Sequence, residues 1–223
     1  MPWCPRCAAE VVALPAGCPR CAGVGLGHAC FGSPAAIDAT VAAYDYRGVV
    51  SAAIVTAKLG GARSGWAGLA EALAQRVAAS ALEVDVITWV TTDPRRARQR
   101  GGDHAFAIAR AVADRVGLPL ARLLDAKERP GGGDRYRARH ALPATDVLLV
   151  DDVMTTGRTA LAAASALRRA GAGGVTLAVI ARAGDHPLGA VARDPRPGTL
   201  GRHGLPSGPR GRRRGLRRSA PVP

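Results

Sequence analysis

Two rhythms of apolar positions alternate along this chain. "VDVITWVTT" (Val84 to Thr92) and "VTLAVIAR" (Val175 to Arg182) are short, β-branched and nearly continuous in apolar character, as strands buried on both faces are. So are the four residues Val147–Val150. Between them lie stretches with a helical period. "GWAGLAEALAQRVAAS" sets Trp66, Leu69, Leu73 and Val77 on one stripe, and "HAFAIARAVADRVG" (His104 to Gly117) is amphipathic and closed by a glycine. An Ala-rich helix is expected from about Arg158 to Ala170, and another within "YDYRGVVSAAIVTAKLGG" (Tyr44 to Gly61), after a short strand or turn. "LPLARLL" is a candidate short strand, residues 31–43 read as a linker, and Asp125–Asp146 reads as a long polar loop. Strands alternating with helices predict βαβ units and a parallel α/β sheet.

In such a sheet ligands bind at the carboxyl ends of the strands. That draws attention to "VLLVDDVMTTGRT" (Val147 to Thr159), where Asp151 and Asp152 follow an apolar run. After Val150 the chain must turn into a helix. The backbone N–H groups of Thr155, Thr156, Gly157, Arg158 and Thr159 then face outward where the helix dipole is positive, an arrangement that binds phosphate. Small residues let the phosphate approach, and the threonine hydroxyls add donors. Two carboxylates beside a phosphate would repel it if they served the same group. They suit a neighbouring sugar diol, with a divalent metal nearby, and phosphate plus diol describes a ribose 5-phosphate. The absence of G-K-[ST] excludes a P-loop. Paired aspartates at a strand end also occur as metal ligands in phosphatase and receiver folds, or as plain helix caps.

Charge changes the picture in one place. The chain of 223 residues carries a formal net charge of +14, which suggests nucleic-acid or phosphate partners. Half of the excess lies from Gly184 onward, where nine arginines face two aspartates among fifteen Gly and Pro. That segment has no apolar periodicity and reads as a disordered, solvated tail or as a nucleic-acid-binding arm. No apolar run reaches 18 residues, so no membrane insertion is expected. The opening "MPWCPRC" lacks the basic and apolar regions of a secretory signal, which predicts a cytoplasmic protein.

All five cysteines fall in the first 30 residues. Cys4 and Cys7 form one "CPRC", Cys18 and Cys21 a second, with ten residues between. In a cytoplasmic chain, paired C-x-x-C knuckles predict a tetrahedral structural Zn²⁺ site, whose binding free energy folds a segment too short to fold alone. Four cysteines close such a site, so His28 and Cys30 are expected to be structural. "GVGLG" (Gly23 to Gly27) follows no strand and reads as a turn. The expected organisation is therefore a four-Cys zinc ribbon at 1–30, an α/β domain at 31–183 and a tail at 184–223.

Val147 to Thr159 resembles the phosphoribosyl-pyrophosphate (PRPP) signature of type I phosphoribosyltransferases. Joined to the double "CPRC", it is similar to the ComF family of competence proteins. "YDYRGVVSAAIVTAKLGG" and "RRARQRGGDHAFAIARAVA" are similar to that family's tyrosine-to-lysine segment and its basic loop with the helix start. The resemblance implies a parallel-sheet phosphoribosyltransferase domain behind a zinc ribbon. By it, Asp151 and Asp152 hold the ribose hydroxyls, and the stretch through Val153, Met154, Thr155, Thr156, Gly157, Arg158 and Thr159 holds the rest of PRPP, with Mg²⁺ chelated by pyrophosphate and ribose. Lys58, Arg95, Arg96, Arg98 and Arg100 become candidates for pyrophosphate, and Arg100 joins the two aspartates as a catalytic candidate. The implied activity is transfer of a phosphoribosyl group to an unidentified acceptor, linked to DNA uptake or nucleotide metabolism. The alternative is a non-catalytic PRPP- or single-stranded-DNA-binding module with a competence helicase as partner. Three departures stand out. Gly102 occupies an aromatic position, Thr91 and Thr92 stand near a proline-rich turn, and Lys127–Asp146 lacks the family's Gln and Arg…Asn pattern.

Overall fold

The computed structural model describes residues 3–14, 17–23, 30, 36–60, 63–93, 102–127 and 135–183. A short helix α1 (Pro5–Glu10) precedes β1 (Ala39–Asp45), α2 (Gly48–Gly60), α3 (Arg63–Ala79), β2 (Val86–Trp89) and α4 (His104–Val116). The hairpin strands β3 (Leu124–Ala126) and β4 (Tyr136–Ala138) follow, then β5 (Asp146–Met154), α5 (Arg158–Arg169) and β6 (Gly174–Arg182). Four strands form one sheet in the order β1-β6-β5-β2, and every pairing is parallel.

Both faces of this sheet are covered, which is why β5 and β6 read as apolar runs without alternation. Val147 and Leu149 point to the face packed by α5, through Ala160, Ala163, Ala164 and Leu167. Leu148 and Val150 point to the opposite face, under α2, α3 and α4. The expected stripe of α3 lies in that layer, with Trp66, Leu69, Leu73 and Val77 all at most 5% exposed. Helix α4 begins and ends where the sequence indicates. Asp103 caps its first turn by accepting from the Phe106 N–H, and Gly117 closes it in the left-handed conformation at φ 72°.

Three expectations need correction. β5 does not end at Val150 but continues through both aspartates to Met154, because β6 keeps pairing with it as far as Met154–Arg182. β1 begins at Ala39, inside the stretch expected to be a linker. Its core "VAA" carries weak strand propensity, and parallel pairing with β6 supplies what the local sequence does not. Part of the expected polar loop forms the β3–β4 hairpin, with Asp125 opposite Arg137. The "LPLARLL" segment contributes a single parallel bridge, Leu120 to Ile87, and the strand proper starts at Leu124.

The N-terminal segment is tied to the free edge of β1. Ala13 bridges Tyr44 in antiparallel fashion, and the Trp3 indole donates to the Tyr44 hydroxyl at 3.3 Å. The second cysteine knuckle is held by Thr40, whose N–H and hydroxyl donate to the Pro19 and Arg20 carbonyls. No helix among the described residues is long and apolar enough to cross a membrane.

Candidate functional site

A cavity of about 720 Å³ opens at the carboxyl end of β5. Its position follows from the sheet. β2 stops pairing at Trp89–Val150, while β5 runs on for four residues beside β6 alone. The flank of β5 facing away from β6 is therefore open along Asp151–Met154. Asp151, Asp152, Val153, Met154, Thr155, Thr156, Gly157, Arg158 and Thr159 all line the cavity, together with Lys58 of α2. Thus the site residues expected from one contiguous motif meet the lysine expected from a distant segment.

The carboxylates are neither equivalent nor free to act alike. The Lys58 ammonium lies 2.9 Å from an Asp152 oxygen, and the Asp152 N–H donates to Asp151 at 2.9 Å. Burial first, and the neighbouring Asp152 charge second, push the Asp151 carboxyl up to about 8, against the opposing pull of the Asp152 N–H and of Lys58. One carboxylate is thus paired with an ammonium, while burial and that neighbour's charge favour the protonated form of the other.

The candidate phosphate loop, Thr155 to Thr159, leads from β5 into α5. Gly157 caps α5 at φ 71° and offers no side chain to the first turn. The Arg158 N–H makes a long contact to the Thr156 hydroxyl at 3.5 Å, Gly157 itself contributes no side-chain cap, and the helix that follows is 12 residues long. Thr159 is reached by Arg135, whose guanidinium donates to its hydroxyl at 3.3 Å and sits 5.8 Å from the centre of the Tyr136 ring.

The cavity also collects residues the sequence analysis did not single out: Asp93, His104, Lys127, Arg135 and Tyr136. His104 stacks on Trp66 with ring centroids 4.9 Å apart. Asp103 joins the end of β2 to α4, accepting from the Trp89 indole at 3.0 Å and from the Thr92 N–H at 3.4 Å. The capping pattern before α4 was the available signal for Asp103. Arg135 and Tyr136 fall in the Lys127–Asp146 segment that the resemblance singles out, and they reach the cavity through the pairing of β3 with β4. Gly102 has φ 146°, a conformation L side chains rarely adopt, so the aromatic absent from this position would be strained on this backbone. Arg95, Arg96, Arg98 and Arg100 lie outside the described residues, as does His28.

The cysteines group differently from expectation. Cys18, Cys21 and Cys30 bring their sulfurs within 4.8 Å of one another, whereas Cys4 and Cys7 are not part of that group. Cys4 caps α1 and accepts from the Cys7 N–H at 3.4 Å, much as Cys21 accepts from the Gly23 N–H at 3.4 Å. Cys30, expected to be merely structural, takes the third place. Three thiols with one of them buried fit a soft, thiolate-preferring metal ion. Burial pushes the Cys21 thiol up to about 11, so metal binding at this cluster must expel its proton. The Cys21 carbonyl accepts from the buried Arg182 guanidinium at 2.7 Å, and Arg182 pairs in register with Met154 of β5.

The family comparison falls on the same half of the fold. Residues 102–193 match the phosphoribosyl transferase domain family. That match holds β5, α5 and β6, and with them the whole of the candidate phosphate loop. The fold is the parallel α/β sheet of the phosphoribosyltransferases. Among solved structures, the chain is similar to the allosteric regulatory enzyme of purine biosynthesis, at 23% identity over 52% of this chain and 25% of that chain, with a TM-score of 0.41. It is similar to the purine phosphoribosyltransferase from Pyrococcus horikoshii at 23% identity, covering 53% and 72%, with a TM-score of 0.40. It is similar also to the glutamine PRPP amidotransferase from B. subtilis, complexed with ADP and GMP, at 25% identity, covering 52% and 26%, with a TM-score of 0.41. The chain spans about a quarter of the length of the first and third of these. No curated protein matches it.

Proposed function

We propose that this domain binds PRPP, or another ribose 5-phosphate compound, together with Mg²⁺, and transfers the phosphoribosyl group to an acceptor with release of pyrophosphate. The observation that carries this reading is the joint placement of Asp151, Asp152 and the uncapped start of α5 around one cavity. The α5 N–H groups and the Thr155, Thr156 and Thr159 hydroxyls hold the 5′-phosphate. Asp151 and Asp152 accept hydrogen bonds from the ribose 2′- and 3′-hydroxyls. The carboxylates and the ligand's own oxygens are the hard donors that Mg²⁺ prefers, and the ion supplies neutralisation of pyrophosphate charge when bound. Lys58, paired with Asp152, is one of the described cations of the cavity and could exchange that partner for a departing pyrophosphate. Catalysis then rests on positioning and on stabilising the leaving charge, with cleavage at C1′ through an oxocarbenium-like state.

The grouped cysteines support a structural Zn²⁺ at Cys18, Cys21 and Cys30, with Cys4 and Cys7 outside it. A cysteine cluster beside a phosphoribosyltransferase domain supports the ComF resemblance and, with it, a role linked to DNA uptake. The net charge of +14 favours a second reading, a PRPP- or single-stranded-DNA-binding module that does not turn over. Pyrophosphate release from PRPP and Mg²⁺, assayed against a panel of bases and amines, separates the two. Release that disappears in Asp151→Asn/Asp152→Asn supports transfer. Saturable PRPP binding with no release from any acceptor leaves the module.

A further inference from the structure

Arg135 immediately precedes β4, a strand whose side chains alternate. Tyr136 is buried in the cluster that α5 packs, and Arg137 on the other side stays exposed beside Asp125. By that alternation Arg135 belongs with Arg137. Its guanidinium instead lies 5.8 Å from the centre of the Tyr136 ring and donates to the Thr159 hydroxyl at 3.3 Å. The backbone there is held from two sides. β4 packs against α5, and the Lys127 N–H donates to the Arg135 carbonyl at 3.0 Å. The hairpin thus carries a cation to the start of a helix that follows it in the chain, and Arg135 and Thr159 line the same cavity.

Thr159 lies in the first turn of α5, where backbone N–H groups have no intrahelical acceptor. Because its oxygen accepts from Arg135, the hydroxyl has its own hydrogen left to donate, and polarisation by the guanidinium strengthens it as a donor. The guanidinium is a planar, permanently charged fork of N–H donors, and the Thr159 contact uses a single nitrogen, Nη1. An anionic oxygen between this fork and the α5 start would receive charge-assisted hydrogen bonds from both. Lys127 and Arg158 also line the cavity, but the bond to Thr159 singles out Arg135. The cavity's described carboxylates come from other elements: Asp151 and Asp152 from β5, and Asp93 from the segment after β2.

We propose that Arg135 is a direct ligand of the 5′-phosphate and makes the site selective for its dianionic form. Its role rests on the phosphoribosyl reading, which puts that phosphate at the α5 start, and it adds to the site a residue outside the Val147–Thr159 motif. ³¹P NMR of ribose 5-phosphate with excess full-length protein, followed across pH, tests it. A phosphate monoester loses its second proton at about pH 6, and a cation in contact lowers that midpoint. His104, Asp93, Asp151 and Asp152 are common to all the proteins compared, so the difference between variants reads Arg135. The expected midpoint for the bound ester lies below that of the free ester in wild type. It moves back toward the free value in Arg135→Gln, which removes the charge and keeps a donor amide. Arg135→Lys, which keeps the charge, retains most of the lowering. Affinity falls about tenfold in Arg135→Gln, the order expected for one hydrogen bond to a charged group. A fall in affinity with an unmoved midpoint would make Arg135 only a support for Thr159 and overturns the proposal, as does an affinity equal to wild type. A wild-type ³¹P signal that never responds to protein overturns the phosphoribosyl reading and the Arg135 assignment with it.

Discussion

Asp151, Asp152 and Lys58 are where residue-level chemistry is decided. A carboxyl held at about 8 in the folded chain, against 3.8 ordinarily, binds a proton that the unfolded chain releases across that window. Native stability from Asp151 is therefore greatest below about pH 4, falls as pH rises toward 8 and is level above it. Thermal melts of the ligand-free protein between pH 5 and 8 should show this decline, and Asp151→Asn should lack it. The same proton must leave before the carboxylate accepts a ribose hydroxyl, so affinity for PRPP should rise with pH until about 8. Lys58 works in the opposite sense on Asp151, favouring its charged form. Lys58→Met should move the affinity rise to higher pH and weaken PRPP binding roughly tenfold, about 1.4 kcal/mol. Calorimetric titrations across pH read both effects, and an unshifted profile would show that the ammonium does not govern the pair. None of this division of labour is legible in "VDD", because burial and the partner from α2 come only with the fold.

At the scale of elements, α5 and its entry carry the account. Gly157 at φ 71° is required for the backbone, and in the proposed reading its bare Cα also admits the phosphate. Gly157→Ala should cost about 1–2 kcal/mol of stability and lower ribose 5-phosphate affinity as well. Leu167, fully buried under the sheet, should lose about 2–5 kcal/mol as Leu167→Ala with no direct contact to ligand lost. Urea unfolding of the two variants distinguishes them, since only the first should lose binding at temperatures where both are folded. The sequence made α3, α4, α5 and β6 plain, because their apolar patterns and caps are local. It concealed β1, whose alanines pair for reasons supplied by β6. It concealed the β3–β4 hairpin too, whose charged residues Asp125 and Arg137 stay at least partly exposed while Leu124 and Tyr136 are buried in the cluster that α5 packs. The length of β5 was likewise hidden. Two charged residues look like the end of a strand, and only the continuing pairing with β6 keeps them in it.

For the whole molecule, the cysteine cluster is bound into the same structure as the cavity. Spacing alone favours Cys4, Cys7, Cys18 and Cys21, whereas the sulfurs drawn together in the structure are those of Cys18, Cys21 and Cys30. Protein purified from zinc-supplemented medium should hold about one metal ion per chain, lost in Cys30→Ser and kept in Cys4→Ser; equal loss in both would restore the four-cysteine set. The buried Arg182 joins Cys21 to the strand beside Met154, so metal removal should also lower thermal stability of the phosphoribosyl half. The central claim is that one cavity grips ribose and phosphate together. Isothermal titration of PRPP with Mg²⁺ into wild type and Asp151→Asn/Asp152→Asn tests it most directly. The expected result is one saturable site in wild type, weakened about a hundredfold or more in the double variant at equal fold stability. No binding by wild type, or equal affinity in both proteins, would contradict it.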